Sequence, residues 1–194
     1  SDLIHNRFNF LFNLSPVITS RVEIRNRVFW GDQLKQIPDA GKSIDQYNGL
    51  LKLSHLWVDE KTLVAHSVID RMVLQYATDQ WDIRVGRQRI NWGVNTIWNP
   101  NDIFNAYNFL DFDYEERPGN DAIRVQRYFN NRTSAEVAIK PGENKDETIA
   151  ALLYRFNTSK YDVQLLGGIF HSDYVVGGGW AGNIKEAGFK GEIS

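Results

Sequence analysis

Two groups of ionisable residues lie close enough in the chain to act on one another. Arg84, Arg87, Arg124 and Arg127 stand in the short segments flanking residues 92–119, and that stretch itself carries Asp102, Asp111, Asp113, Glu115 and Glu116. Arg25 lies in an earlier segment of the same kind. Opposed rings of fixed charge select small ions and polar solutes by Coulomb attraction and by size. The first chemistry to weigh is therefore a constriction, with an arginine wall facing an acidic loop that folds inward. The competing explanation is that the acids are a solvated loop tip, or that they pair with the arginines only to hold the loop down.

Other chemistries are weaker. Asp111, Asp113 and Glu115 repeat at every second residue, but the run lacks the glycine and the distal glutamate of a calcium loop. Paired carboxylates beside Trp92, Trp98, Tyr107 and Tyr114 fit a glycosidase only in outline, since any loop with five acids offers such pairs. The four histidines have no metal-ligand spacing, and neither a nucleophile elbow nor a P-loop occurs. Gly177–Gly179 lacks the Lys-Ser/Thr of a phosphate cradle, so strand curvature is the expected role. With no cysteine in 194 residues, disulfides, thiolate zinc sites and cysteine nucleophiles are excluded. No catalytic residue, metal site or cofactor is expected.

Strands are the elements that must position these groups. Residues 81–88 set Trp81, Ile83 and Val85 against Asp82, Arg84 and Gly86, and residues 123–127 repeat the alternation, which is the two-residue period of a strand. The same pattern recurs at 7–14, 20–30 and 46–58, then from residue 134 to the end except at 148–157, which is apolar on both faces, giving about eleven strands. Residues 66–77 are the weakest of these, because Asp70 interrupts the parity and a helix is the alternative. All five prolines fall between segments, as paired strand interiors require. Strict up-and-down counting puts the loop at 31–45 and the loop at 92–119 at opposite ends of the sheet.

A soluble sandwich and a membrane barrel both alternate, but they turn their apolar faces to different surroundings. Trp30, Trp57, Tyr76, Trp81, Tyr128 and Tyr161 lie near segment ends, where an aromatic girdle would stand. Arginines in mid-strand, such as Arg25, Arg84 and Arg124, suit a wet lumen. A mean hydropathy of -0.41 does not argue against a barrel, because every second residue of a spanning strand is free to be polar. A net charge of -2 gives no basic field for nucleic acid.

Residues 80–129, through VGRQRINWG, WNPNDIFNAYNFLDFDYEERPG and AIRVQRYF, resemble porin-like bacterial outer-membrane β-barrel proteins of an arginine-rich group. The resemblance implies a closed antiparallel barrel, solute diffusion and no catalytic residues. The fold expected is all-β, an antiparallel up-and-down transmembrane β-barrel. Residues 1–194 would form a single β-barrel domain, read as the N-terminal part of a larger barrel. The expected function is porin-like passage of small polar or anionic solutes across a bacterial outer membrane. Membrane lipid and lipopolysaccharide are the expected partners, nucleic acid is not one, and homo-oligomerisation stays open. A soluble β-sheet carbohydrate-binding or hydrolytic domain is the alternative.

Overall fold

The computed structural model describes residues 2–45, 49–95, 99–105 and 119–194. Eleven strands follow one another: β1 (Asp2–Asn13), β2 (Ile18–Trp30), β3 (Ser54–Glu60), β4 (Leu63–Ala77), β5 (Trp81–Gln88), β6 (Asn120–Asn130), β7 (Thr133–Lys140), β8 (Ile149–Thr158), β9 (Tyr161–Phe170), β10 (Asp173–Ile184) and β11 (Ala187–Ile193). They make one antiparallel sheet in the order β1-β2-β4-β5-β6-β7-β8-β9-β10-β11, with β3 on the side of β4. One five-residue helix, α1 (Ala40–Ile44), and three 3-10 turns are the only helical pieces among the described residues. The sheet is not closed, since β1 and β11 stand at its two extremes.

Residues 66–77 are strand, not helix. The register between β2 and β4 slips between Glu23 and Ile24, whose partners are Arg71 and Ile69. Asp70 is the extra residue of that bulge, and one inserted residue is enough to break a two-residue alternation. Its interruption of the pattern is thus the mark of a bulge within a strand.

Strand β3 overturns the strict up-and-down count. Both β2 and β3 run antiparallel to β4, so they run parallel to each other, and β3 flanks only residues 63–68 of β4. On that same side of β4, residues 72–77 pair with β5. The connection 31–53 therefore turns the chain back, and it begins at the end of the sheet from which 89–119 departs. The connections at that end are 31–53, 61–62, 89–119, 141–148 and 171–172. At the other end every connection is short: 14–17, 78–80, 131–132, 159–160 and 185–186.

The two faces differ sharply. On one, a register row runs Val125, Val137, Leu152, Gly167, Val176 from β6 to β10. Val137 is 41% exposed, Leu152 48% and Val176 77%, so among the described residues nothing packs over this row. The neighbouring row of opposite parity runs Gln126, Glu136, Leu153, Leu166, Gly177, where Glu136 is 1% and Leu153 0% exposed. We call these the outer and inner faces. Arg7, Glu23, Arg25, Asp82, Arg84, Arg124, Glu136 and Gln164 all fall on inner columns.

Candidate functional site

The inner face is a wall of arginine–carboxylate pairs built from the strands themselves. Arg25 donates to Asp70 Oδ1 at 2.9 Å and Arg7 to Asp70 Oδ2 at 3.1 Å, the β4 bulge having turned Asp70 inward. Arg84 grips Asp82 with Nε and Nη2 at 3.0 and 2.8 Å. Arg124 grips Glu136 at 2.6 and 3.1 Å, and Arg155 adds a bond to Glu136 Oε2 at 2.9 Å. Arg84 and Arg124 are register partners, so two like charges stand opposite each other and each depends on its own acid. The ion pairs of this face include those of Arg7, Arg21, Arg25, Arg84, Arg124 and Arg155 with Glu23, Asp70, Asp82 and Glu136. Bidentate guanidinium–carboxylate pairs are strong and geometrically specific, which fixes the wall's shape as well as its charge.

Two expected members of the wall stand elsewhere. Arg87 donates to Asp121 through Nε and Nη2, both at 2.9 Å, and to the carbonyl oxygens of Leu51 and Ile69. It is 4% exposed and caps the junction where β5 ends and β3 takes over the edge of β4. That saturation makes it a structural ion pair. Arg127 pairs with Trp81 and Ala135 on outer columns, with its guanidinium carbon 5.2 Å from the Trp81 ring and 5.3 Å from the Phe129 ring. A single parity step from Gln126 places it on the apolar side.

The first part of the long loop crosses the inner face as a strap. Trp92, 1% exposed, donates its indole N–H to Glu136 Oε1 at 2.6 Å and packs edge-on against Phe104 at 4.9 Å. Gln164 donates to the Trp92 carbonyl at 2.8 Å, and Asn120 to that of Phe104 at 3.0 Å. At the far side the Glu192 carboxylate of β11 accepts the backbone N–H groups of Val94, Asn95 (2.7 Å) and Asn101 (3.3 Å). Asn101, wholly buried, donates to the Gly178 carbonyl at 2.9 Å. Asp102 is buried on this strap. Asp111, Asp113, Glu115 and Glu116 lie outside the described residues, as do Trp98, Tyr107 and Tyr114.

The sequence makes room for the strap by keeping inner positions small. Ala138, Ala151 and Gly168 are register partners across β7, β8 and β9, and Ile90, Trp92, Ile103 and Phe104 belong to the same buried cluster as the two alanines. A Cβ on Gly177 would come within 2.4 Å of Asn101 Oδ1. The inward-facing Gly177 is therefore a seat for Asn101, a role that strand curvature alone does not describe. Apolar residues on both faces of β8 have the same origin: Leu153 packs beneath the strap and Leu152 faces outward.

Beside the strap lies a cavity of about 360 Å³, lined by Asn91–Val94, Arg132, Arg155, Asp162 and Gln164 among others. It falls at the low end of the ~300–1,000 Å³ of small-molecule sites. The second connection is tied to the inner face as well. His66 Nε2 lies 3.0 Å from Asp45 Oδ1, and Arg27 Nη2 lies 3.4 Å from His66 Nδ1. Since a guanidinium only donates, Nδ1 accepts and Nε2–H donates, the neutral tautomer. Burial pushes the Asp45 carboxyl up, but the neighbouring Ser54, Lys52 and His66 side chains outweigh it and hold the group below its ordinary value.

Sequence reasoning missed Asp70, Asp82, Glu136 and Glu192, having sought the arginines' partners in the loop. The signal was available for two of them: Asp82 and Arg84 are two apart in one strand, and Glu136 alternates with Val137 as Arg124 does with Val125. Among the described residues no group of three or more His, Cys, Asp or Glu could hold a metal ion. Comparison with protein-family models, with curated proteins and with solved structures finds no match.

Proposed function

We propose that this chain is wall and constriction of a porin-like barrel in a bacterial outer membrane, passing small polar or anionic solutes. The observation that carries the reading is the sorting of charge by face. Nearly every outer-column residue from β1 to β11 is apolar or uncharged, while the inner columns hold the arginine–carboxylate wall. In water such an apolar face would be a large aggregation surface, whereas lipid rewards it. The concentration of long connections at one end and of short turns at the other is the asymmetry of outer-membrane barrels.

Dimensions agree. Eight residues separate Tyr161 from Ile169 on β9, which is roughly 27 Å of strand, or about 20 Å once tilted by ~40°. The apolar band of such barrels is about 25 Å tall. Open edges do not persist in hydrocarbon, so β1 and β11 must be paired there, with each other or through further strands. Membrane lipid and lipopolysaccharide are then the partners of the outer face. The arginines of the wall are the groups that would attract anions, and no bond making or breaking is assigned to the wall. Of the aromatic residues a carbohydrate site would use, Trp92 has both its ring and its N–H engaged inside the protein.

The test is reconstitution of the chain into a planar bilayer. Ion conductance is expected, with anion preference that falls in Arg84→Ala. A protein that stays monodisperse without detergent and gives no conductance would contradict the proposal.

A further inference from the structure

Arg127 is anomalous on the outer face. Asp2 and Glu60 stand at the long-connection rim and Arg87 is sealed against Asp121, which leaves Arg127 as the one charged side chain exposed on the strands' outer columns towards the short-turn end. Among the described residues its guanidinium makes no hydrogen bond or ion pair, and its guanidinium carbon lies 5.2 Å from the Trp81 ring and 5.3 Å from the Phe129 ring. A bare cation facing hydrocarbon is costly, and the cost becomes small only near the interface. Aromatic rings of this kind settle at headgroup level. A planar guanidinium stacked on aromatic rings keeps its N–H edge free, and that edge matches two oxygens of a phosphate.

We propose that Arg127, stacked on Trp81 and Phe129, binds the phosphate of a membrane phospholipid at the short-turn rim. The inference rests on the membrane reading above but adds to it a single site with a defined ligand. It also fixes the depth at which the sheet sits, because the phosphate plane passes through Arg127.

The sign of one substitution tests it. An arginine that merely points into lipid is a burden, so Arg127→Leu would then fold more favourably in vesicles. An arginine that holds a phosphate is an anchor, so Arg127→Leu would fold less favourably there. We expect the folding equilibrium constant of Arg127→Leu to fall roughly tenfold in phosphatidylcholine vesicles, as loss of a charge-assisted bond implies. Arg127→Lys should restore part of the loss. In dodecyl maltoside, which has no phosphate, the difference should vanish, and inorganic phosphate added to maltoside should not bring it back. If inorganic phosphate does restore it, the site binds free anion and the lipid assignment is overturned. Equal effects in vesicles and maltoside, or a more stable Arg127→Leu in vesicles, also overturn it. Vesicle flotation is read first: wild-type chain that does not float with vesicles overturns the membrane reading itself, whereas insertion with a lipid-independent Arg127→Leu overturns this site alone.

Discussion

At the scale of single residues the inner wall depends on a few shared acids. Glu136 receives Arg124, Arg155 and the Trp92 indole on two oxygens, while being 1% exposed. Removing one member of a buried charge pair costs roughly 3–5 kcal/mol, because the partner is left uncompensated. Glu136→Gln keeps the shape and removes the charge, so it should lower stability in detergent-borne urea unfolding by an amount of that order. A loss below 1 kcal/mol would mean that water already solvates Arg124 and Arg155. Arg87→Ala should destabilise similarly yet leave ion preference untouched, since Arg87 caps a strand junction away from the wall. A changed ion preference in Arg87→Ala would return it to the lumen.

At the scale of elements, the strap and the connection 31–53 are held differently. The strap depends on space: Gly177→Val puts methyl groups where Asn101 Oδ1 lies and should lift residues 92–95 and 99–105 from the wall. Faster protease cleavage within that segment is the expected readout, and unchanged cleavage would mean that Glu192 suffices alone. The connection depends on ionisation. Asp45 titrates below its unfolded value near 3.9, so the hold it contributes is present above that pH and is lost as pH falls through the lower folded value. Amide exchange at residues 40–53, corrected for intrinsic rates, should rise at pH 3 relative to pH 6, and Asp45→Asn should raise it at both.

Much of this was legible in the chain. Alternation marked the strands because each face meets one medium, and it blurred where it had physical cause: at Asp70, which occupies a bulge, and in β8, whose inner face packs on a strap. The direction of β3 was not legible, since the turn-back of residues 31–53 leaves no local signature. Nor was the side taken by Arg87 and Arg127. Composition cannot tell a wall arginine from an outer one when the two differ by one parity step. The acids of the wall were overlooked because a dense acidic loop drew attention from single carboxylates spaced along strands.

At the scale of the whole molecule the claim is that one face meets lipid and the other meets water. Val137 lies midway along an outer column, so Val137→Arg should lower folding into vesicles by about 2–4 kcal/mol, while the same change at inner Ala138 should act mainly through the strap. The most direct measurement uses the absence of cysteine. Single cysteines placed in turn at residues 135–139 and 150–154 can carry a nitroxide, and collision with oxygen or with a water-soluble nickel complex then reports each site's surroundings in vesicles. The account predicts a two-residue oscillation, with oxygen favoured at positions 135, 137, 139, 150, 152 and 154. Nickel collision exceeding oxygen collision at those positions, or no oscillation in oxygen access, would contradict it.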